Sequence, residues 1–352
     1  MTHLTYRQER LLCKAMLQAA GMPEQDADLV GEVVTYADFT GVSSHGLSRL
    51  LYYLREIRAG GLNPCADFQV TRDAGSVLSF DCDNGSGILG VRRAYAQLSL
   101  RAWEHGIAIG TGKRSSNVGC AGFYGLQAAS DGLICLFCAN THVCMAPYGG
   151  AEKLIGTNPI VASVPAEGCQ IVLDMSTSGV AFGKITALAR EGLPIPPGWA
   201  NDYDGRPTTD GKLAYTVLPV GGHKGYGLAV MVDLFSAVLA GAAYGNDIGI
   251  FKEFGIENTG FCMILIDPEK WMPLSEFRRQ AVAYRNMLKQ SRRAEGVSEI
   301  FLPGEIEQRK LEELKNSGIS VPDALTQELG NMAQELDLIP EANTFADFLA
   351  AL

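Results

Sequence analysis

The sequence predicts an α/β protein in which a central sheet is flanked by helical segments at both ends of the chain. Apolar residues recur at helical spacing over the first 60 residues, short apolar runs alternate with Gly-rich turns from about residue 75, and charged helical patterns return near the C-terminus. We therefore expect an N-terminal helical segment (1–74), a central α/β region (75–273) and a C-terminal helical segment (274–352) that packs against the first.

The N-terminal segment is expected to form three helices. The first ends before Gly21, and the second begins at Pro23. Ser43 or Ser44 is expected to cap the third helix, which ends at Gly60.

The central region alternates strands with helices. Helices are expected at 88–104 and 121–130. Strands are expected at the apolar runs SVLSFDC, GIAIGTG, LICLFC, IVASVP, IVLDMS and FCMILID. The C-terminal segment adds one short apolar run, VSEIFLPG, among helical patterns.

Composition narrows the class of protein. The chain has 352 residues, is 47% hydrophobic and carries a net charge of −10, which argues against a disordered chain and against a generic nucleic-acid surface. Charged residues at 7, 9 and 10 interrupt any signal peptide, and no run of uninterrupted apolar residues is long enough to span a membrane. We expect a cytoplasmic protein with no membrane partner and no nucleic-acid partner.

Nine cysteines at irregular spacing argue against a disulfide framework. Cys135, Cys138, His142 and Cys144 superficially resemble a metal-binding cluster. Because Cys135 and Cys138 lie three apart on an expected strand, their side chains point to opposite faces. We therefore expect structural thiols and no metal, with a metal or redox site as the alternative.

One face of the third helix carries polar groups where a structural helix would be apolar. His45, Arg49, Tyr52 and Tyr53 share this face at helical spacing. An imidazole can exchange a proton near neutral pH, and a guanidinium can bind a carboxylate through two hydrogen bonds. The pattern suits a small acid with a reactive carbonyl or hydroxyl. A surface histidine and a salt-bridging arginine remain the alternative.

A second candidate is the segment LPVGGHKGYGLAVMVDLF, where glycines surround Lys224 before an apolar helix. Glycines let the backbone approach a phosphate, and a helix N-terminus favours an anion. The segment could bind a diphosphate, or it could be a flexible turn into a buried helix. No G-x-G-x-x-G fingerprint and no Walker sequence occurs, so both familiar nucleotide folds are disfavoured.

Six motifs occur in order along nearly the whole chain: SSHGLSR, SSNVGCAGFYG, APYGGAEKLIGTNP, VLDMSTS, GWANDYDGRPTTD and GHKGYGL. Together they resemble the malate/L-lactate dehydrogenase type 2 family. The resemblance implies an NAD(P)-dependent oxidoreductase, commonly a homodimer, whose cofactor-binding central sheet is not a Rossmann fold. Its substrate would be a small 2-hydroxy or 2-oxo acid, and its cofactor NAD or NADP.

The resemblance also implies roles for individual residues. His45 corresponds to the proton donor, and Arg49 and Tyr53 to residues that face the substrate. The implied cofactor contacts are Thr141, Asp174, Met175, Ser176, His223, Lys224, Gly304, Glu305 and Ile306.

Two positions bear on the substrate. Asn117 stands where many relatives have a histidine, and it can orient a substrate carbonyl but cannot exchange a proton at neutral pH. Lys184 stands where members that reduce keto acids commonly have lysine, which favours a keto acid over a cyclic imine. A reductase of cyclic imino acids and a cofactor-binding protein without catalysis remain alternatives.

Overall fold

The computed structural model describes residues 2–249, 254–340 and 343–352. Its helices are α1 (Tyr6–Ala19), α2 (Glu24–Phe39), α3 (Leu47–Ala59), α4 (Gly87–His105), α5 (Gly122–Ser130), α6 (Phe182–Arg190), α7 (His223–Asp233), α8 (Leu274–Lys289), α9 (Glu305–Ser317), α10 (Asp323–Glu335) and α11 (Phe345–Ala351). Its strands are β1 (Thr2–Leu4), β2 (Gln69–Ala74), β3 (Val77–Gly85), β4 (Ile107–Ser115), β5 (Ile134–Ala139), β6 (Val143–Met145), β7 (Ile155–Gly156), β8 (Ile160–Val164), β9 (Ile171–Met175), β10 (Ala200–Asn201), β11 (Pro207–Thr208), β12 (Thr216–Val217), β13 (Thr259–Ile266) and β14 (Ile319–Val321).

The central sheet has seven strands in the order β2-β3-β4-β13-β5-β8-β9. Only β3 and β4 pair in parallel, through the crossover helix α4, and the other neighbours are antiparallel. A mostly antiparallel sheet cannot be the doubly wound parallel sheet of a Rossmann fold. The predicted α/β class is confirmed, and the missing dinucleotide fingerprint agrees with this topology.

The two ends of the chain share one hydrophobic core. β1 pairs with β14 in antiparallel register, Thr2 opposite Val321. Leu329 and Met332 of α10 are buried in the same cluster as Leu12 of α1 and other residues of α2 and α3. Residues of both terminal segments thus contribute to one cluster, while the division into segments at 74 and 273 remains a prediction.

A smaller sheet, ordered β11-β10-β12-β6-β7, covers a separate apolar cluster. Its strands have two or three residues each, and they carry too little period-two pattern to be recognised from sequence. β2 was also missed, because all six of its residues are exposed at the sheet edge. The apolar run at 297–304 forms no strand. Among the described helices, none is both long and apolar enough to cross a membrane.

Candidate active site

His45 lies in a short 3₁₀ turn, Ser43–His45, immediately before α3. The prediction that it shares a face of the third helix with Arg49 was wrong, because Gly46, at a ψ of −141°, interrupts the helical backbone between them. The turn is closed by a hydrogen bond from the His45 N–H to the Val42 carbonyl at 2.9 Å. Ser44 Oγ lies 3.0 Å from His45 Nδ1, and neither the turn nor α3 has a side-chain N-cap. The expectation that a serine caps this helix was therefore wrong. Ser44 instead contacts the imidazole.

Asp38 of α2 takes the place of the missing cap. Its Oδ2 accepts a 2.7 Å hydrogen bond from the Leu47 N–H, at the first residue of α3. Burial raises the pKa of Asp38 to about 6, and burial together with the Asp38 charge raises the pKa of Glu9 well above its usual range. Asp38 therefore supports the backbone between His45 and α3.

Replacing Gly46 by Ala should loosen this turn. A Cβ at Gly46 would stand 2.0 Å from the Asp38 carboxylate, so either the carboxylate or the turn must move. We expect a loss of about 1–3 kcal/mol in the free energy of unfolding, measured by urea denaturation. Gly183→Ala is the matched control, because a Cβ there meets nothing within 4 Å. Equal stability of the two variants would contradict this account.

The predicted substrate residues lie together around α3. The Arg49 guanidinium carbon lies 5.2 Å from the centre of the Tyr52 ring. Tyr53 OH donates a 2.8 Å hydrogen bond to Asn117 Oδ1, which also accepts one from the Gly119 N–H at 3.0 Å. Since the Asn117 oxygen is engaged twice, its amide nitrogen is the group that can donate to a ligand.

The charge state of His45 follows from its surroundings. Burial first, and then the positive charge of Arg49, lower the pKa of His45 to about 4. The imidazole is therefore neutral at pH 7, and in that form it can accept a proton. A substrate carboxylate bound to Arg49 would neutralise the positive charge that helps to lower the pKa of His45.

Sequence reasoning missed an acidic cluster beside these residues. The buried Glu257 Oε1 accepts a hydrogen bond from Tyr52 OH at 3.3 Å and lies 2.7 Å from His142 Nε2. Glu56 of α3 is also fully buried here. Glu257 stands in a segment without a recognisable motif, and His142 was considered only as a metal ligand. Only the tertiary structure brings them together.

Predicted cofactor contacts from separate segments meet near the start of α7. Thr141 Oγ1 lies 3.3 Å from Thr157 Oγ1, and the Thr157 carbonyl accepts a 2.8 Å hydrogen bond from the Thr177 N–H. The Thr177 carbonyl accepts another from the Val220 N–H at 2.9 Å. Thr177, which follows Ser176 in the chain, therefore contacts the glycine-rich loop directly, and Thr141 is linked to that loop through Thr157 and Thr177.

The start of α7 has the features that an anion requires. His223 and Lys224 are exposed in its first turn. Gly222 precedes the helix at a φ of 63° and provides no side-chain cap, so the first N–H groups can face a ligand. A Cβ at Gly225 would stand 2.2 Å from the Val220 carbonyl oxygen, so the loop needs glycine there. These residues fit the diphosphate of a dinucleotide.

The third predicted cofactor loop lies at the other end of β9. The Val172 N–H donates to the Pro303 carbonyl at 3.0 Å, and Gly304 has a φ of 81° and no room for a Cβ beside Val172. Glu305 is buried, its Oε1 accepts a 2.5 Å hydrogen bond from Lys289 Nζ, and its Oε2 accepts one from the Leu302 N–H at 3.1 Å. Glu305 therefore holds its own loop together and ties it to α8.

The remaining predicted contacts differ in their hydrogen bonding and exposure. Asp174 Oδ2 accepts a 2.6 Å hydrogen bond from the Gly122 N–H at the start of α5, Met175 is half-buried, and Ile306 is exposed. Because four residues of a strand span about 13 Å, the loop at Gly304 and the segment at Ser176 lie apart. The two ends of an elongated ligand would need such a separation.

Within residues 2–249, 254–340 and 343–352, no three His, Cys, Asp or Glu side chains are arranged to hold a metal ion. The nine cysteines are free thiols. Cys138 stands opposite Cys262 in the sheet, while Cys135 stands opposite Leu265.

Comparison with known proteins identifies close relatives over almost the full length. The chain is 34% identical over 333 residues to the L-sulfolactate dehydrogenase of Methanocaldococcus jannaschii, covering 94% of this chain and 96% of the relative. It is 31% identical over 324 residues to an NAD(+) ureidoglycolate dehydrogenase of Escherichia coli O157:H7, covering 91% of both chains.

Solved structures agree with the fold. The sulfolactate dehydrogenase from M. jannaschii superposes with a TM-score of 0.90 at 33% identity, covering 96% of this chain and 98% of that one. The Δ1-piperideine-2-carboxylate reductase from Pseudomonas syringae pvar. tomato gives 0.85 at 28% identity, covering 96% and 100%. The malate/L-lactate dehydrogenase family model matches residues 4–330. This chain therefore belongs to the malate/L-lactate dehydrogenase family.

Proposed function

We propose that this protein transfers a hydride between a nicotinamide dinucleotide and C2 of a small 2-hydroxy or 2-oxo acid. The observation that carries the proposal is the neutral imidazole of His45, in the 3₁₀ turn before α3, which lies near enough to the Arg49 guanidinium of α3 for that charge to lower its pKa. Such a pair can exchange the proton of a hydroxyl while it holds the neighbouring carboxylate. The relatives named above are dehydrogenases of sulfolactate and ureidoglycolate, which are acids of this class.

In the oxidation direction, the hydroxyl proton passes to His45 as the C2–H bond breaks and its electron pair leaves as hydride. The dinucleotide, when bound, supplies the acceptor for that hydride. Arg49 holds the carboxylate, Tyr53 fixes Asn117, and the Asn117 amide orients the C2 oxygen. Reduction runs through the same contacts, with His45 returning the proton.

The cofactor is proposed to lie along β9 and the start of α7. His223 and Lys224 would face its diphosphate, while Thr141, Asp174, Met175 and Ser176 would line one section. The loop of Gly304, Glu305 and Ile306 would line the other. Both NAD and NADP stay open as candidates.

The deciding experiment follows nicotinamide absorbance with NADH and NADPH separately. The acids to test are pyruvate, oxaloacetate, sulfopyruvate, oxalurate, diketogulonate and, as an imine, pyrroline-2-carboxylate. A rate with one oxo acid would support the proposal and identify both the cofactor and the substrate. Tight cofactor binding without turnover would instead favour a protein that kept the dinucleotide site and lost catalysis. Asn117 would agree with that outcome, because it cannot exchange a proton at neutral pH.

A cyclic imino-acid reductase is the second candidate, because the piperideine-2-carboxylate reductase shares the fold over 96% of this chain. Lys184, which favours a keto acid, is exposed on α6. Reduction of the imine without reduction of any oxo acid would select this candidate.

We further propose that the protein is a homodimer. α7 continues into a π-helical turn, Leu234–Val238, and one side of this helix exposes a row of apolar side chains. They are 44–59% exposed: Leu228, Met231, Leu234, Phe235, Val238 and Leu239. A monomer rarely leaves such a surface to water.

The nine free thiols agree with a reducing compartment, so the cytoplasm is the proposed location.

Phe235→Asp should separate the dimer into monomers, because the interface would have to bury an unpaired carboxylate. Light scattering after size exclusion would show the mass fall by half. Leu100→Asp, at an apolar position of α4 that is 62% exposed, is the matched control and should leave the mass unchanged. A monomeric unaltered protein would refute the proposed homodimer.

A further inference from the structure

Two thiols face each other across neighbouring strands of the central sheet. Cys138 of β5 is paired with Cys262 of β13 in antiparallel register. Among the cysteines on the described strands, these two are the pair that stand directly opposite each other, whereas Cys135 of β5 stands opposite Leu265. Both thiols are free, and the proposed hydride transfer uses neither of them.

The register sets the distance between the two residues. Beyond β5, the Asn140 N–H donates to the Gly260 carbonyl at 3.2 Å, so Asn140 and Gly260 form a hydrogen-bonded pair of the ladder. Such pairs recur at every second position, which makes Cys138 and Cys262 the next one. Cα atoms in a hydrogen-bonded pair are about 5.5 Å apart, and those of a disulfide are about 4.4–6.8 Å apart. A disulfide can therefore span the two strands.

The Cβ positions make such a disulfide reversible. Cβ atoms of opposed residues are about 4.5–5.5 Å apart, whereas a disulfide needs about 3.5–4.5 Å. The two strands would have to approach each other slightly. A disulfide formed at this limit of the geometry is easier to reduce than a well-fitted one.

The pair lies on the less covered face of the sheet. Cys135 and Phe137, on the other face of β5, are buried in the apolar cluster shared with α4 and α5. Cys138 is half-buried, and Leu136 on the same face is 44% exposed. Cys262 is buried beside Cys138. A small oxidant can therefore reach the pair from the side of Cys138.

The two thiols also influence each other's ionisation. The Cys138 thiol, as a hydrogen-bond donor to the Cys262 sulfur, lowers the pKa of Cys262. The same hydrogen bond, followed by burial, raises the pKa of Cys138. Cys262 is therefore the thiol that more readily forms the reactive thiolate, and Cys138 is the second thiol beside it.

We propose that Cys138 and Cys262 form a redox-sensitive modification site, at which hydrogen peroxide produces a disulfide across the central sheet. The Cys262 sulfur attacks one oxygen of the peroxide, the O–O bond breaks, and a sulfenic acid and one water form. The Cys138 sulfur then displaces the hydroxyl group of the sulfenic acid as a second water. The two sulfur atoms lose two electrons, and the peroxide accepts those electrons together with both thiol protons.

This site goes beyond the proposed hydride transfer and does not depend on it. In a reducing compartment both thiols stay reduced until an oxidant appears, and disulfides that form there are typically transient and redox-sensing. The modification is read from the mass of the protein, without turnover or bound cofactor. Failure of the proposed function would therefore leave the test of this site intact.

The test treats the folded, full-length protein with hydrogen peroxide and then blocks the remaining thiols with N-ethylmaleimide after denaturation at acidic pH. Mass spectrometry measures the intact protein and its linked peptides. We expect a loss of about two hydrogens from the oxidised protein before blocking. We also expect two fewer blocked thiols than the nine of the reduced protein. The linked peptides should join Cys138 to Cys262, and dithiothreitol should restore all nine thiols.

Serine variants identify the two partners. Cys138→Ser should abolish the link, and Cys262→Ser should do the same, with circular dichroism to establish that each variant is folded. Cys135→Ser is the matched control, because this thiol lies on the same strand but is buried on the other face. Cys65→Ser removes an exposed thiol. Both controls should keep the link.

The opposite results are equally clear. Oxidation of Cys138 to a sulfinic acid without a link, a link between other cysteines, or a link between two protein molecules would each overturn the proposal. Retention of all nine thiols in the peroxide-treated protein would overturn it as well.

Discussion

His45→Ala lowers kcat by about 10²–10⁴-fold and leaves the dissociation constant of the cofactor unchanged, if His45 exchanges the proton. The imidazole stands at the N-terminal end of α3 and contacts Ser44, whereas the proposed diphosphate site lies at the start of α7. Steady-state kinetics together with fluorescence titration of NADH would measure both quantities.

Lys224→Ala is the matched variant for this comparison. Lys224 is exposed in the first turn of α7, where its charge can face a phosphate. This variant should weaken cofactor binding and change kcat little. If the two variants show the opposite pattern, the assigned division between proton transfer and cofactor binding is wrong.

The pH dependence provides a second readout of His45. Since kcat/KM reports the free protein, oxidation of the hydroxy acid should fall as pH drops through about 4, where His45 becomes protonated and can no longer accept a proton. Circular dichroism at each pH would establish that the chain is still folded. Persistence of the same acidic limb in His45→Ala would assign it to another group.

Arg49→Lys should raise the KM for the acid by about 10–100-fold, the equivalent of one or two lost charge-assisted hydrogen bonds. A lysine keeps the charge but cannot bind a carboxylate through two parallel N–H groups. The variant also tests the effect of the Arg49 charge on His45. A lysine charge displaced from the position of the guanidinium should lower the pKa of His45 less, so the acidic limb of the pH profile should move to higher pH.

Arg55→Lys is the control on the same helix. Arg55 pairs at 3.1 Å with Glu328 on the surface, with both side chains about half exposed, so its replacement should leave KM unchanged. An unchanged KM in Arg49→Lys would remove Arg49 from the substrate site.

Local patterns predicted most of the regular structure. Period-3.6 apolar spacing located α1 to α5 to within a few residues, and apolar runs located six of the seven strands of the central sheet. The edge strand β2 and the short strands of the second sheet escaped, because exposed or two-residue strands leave no periodic signal. The helix cap at α3 was wrong for a related reason: Asp38, which replaces it, is nine residues away in the chain.

The residues of the candidate site fall into two groups, those that the sequence identified and those that only the tertiary structure brought together. The sequence by itself identified His45 and Arg49 as candidates for one site, but not the reason why they meet: Gly46, at a ψ of −141°, separates the turn of His45 from α3, so the two side chains do not share a helical face. It also determined the family, through motifs whose order survives along the chain. Only the tertiary structure decided that Ser44 contacts the imidazole and that Tyr53 fixes Asn117.

The His142–Glu257 pair shows most clearly why local patterns stop short. Its members are 115 residues apart, and no spacing rule connects them. They meet because β13 pairs antiparallel with β5. That pairing depends on the burial of apolar residues across the whole sheet and not on a local pattern. Charge states such as those of Glu56 and His45 depend on the same burial, since desolvation acts only once the chain has folded.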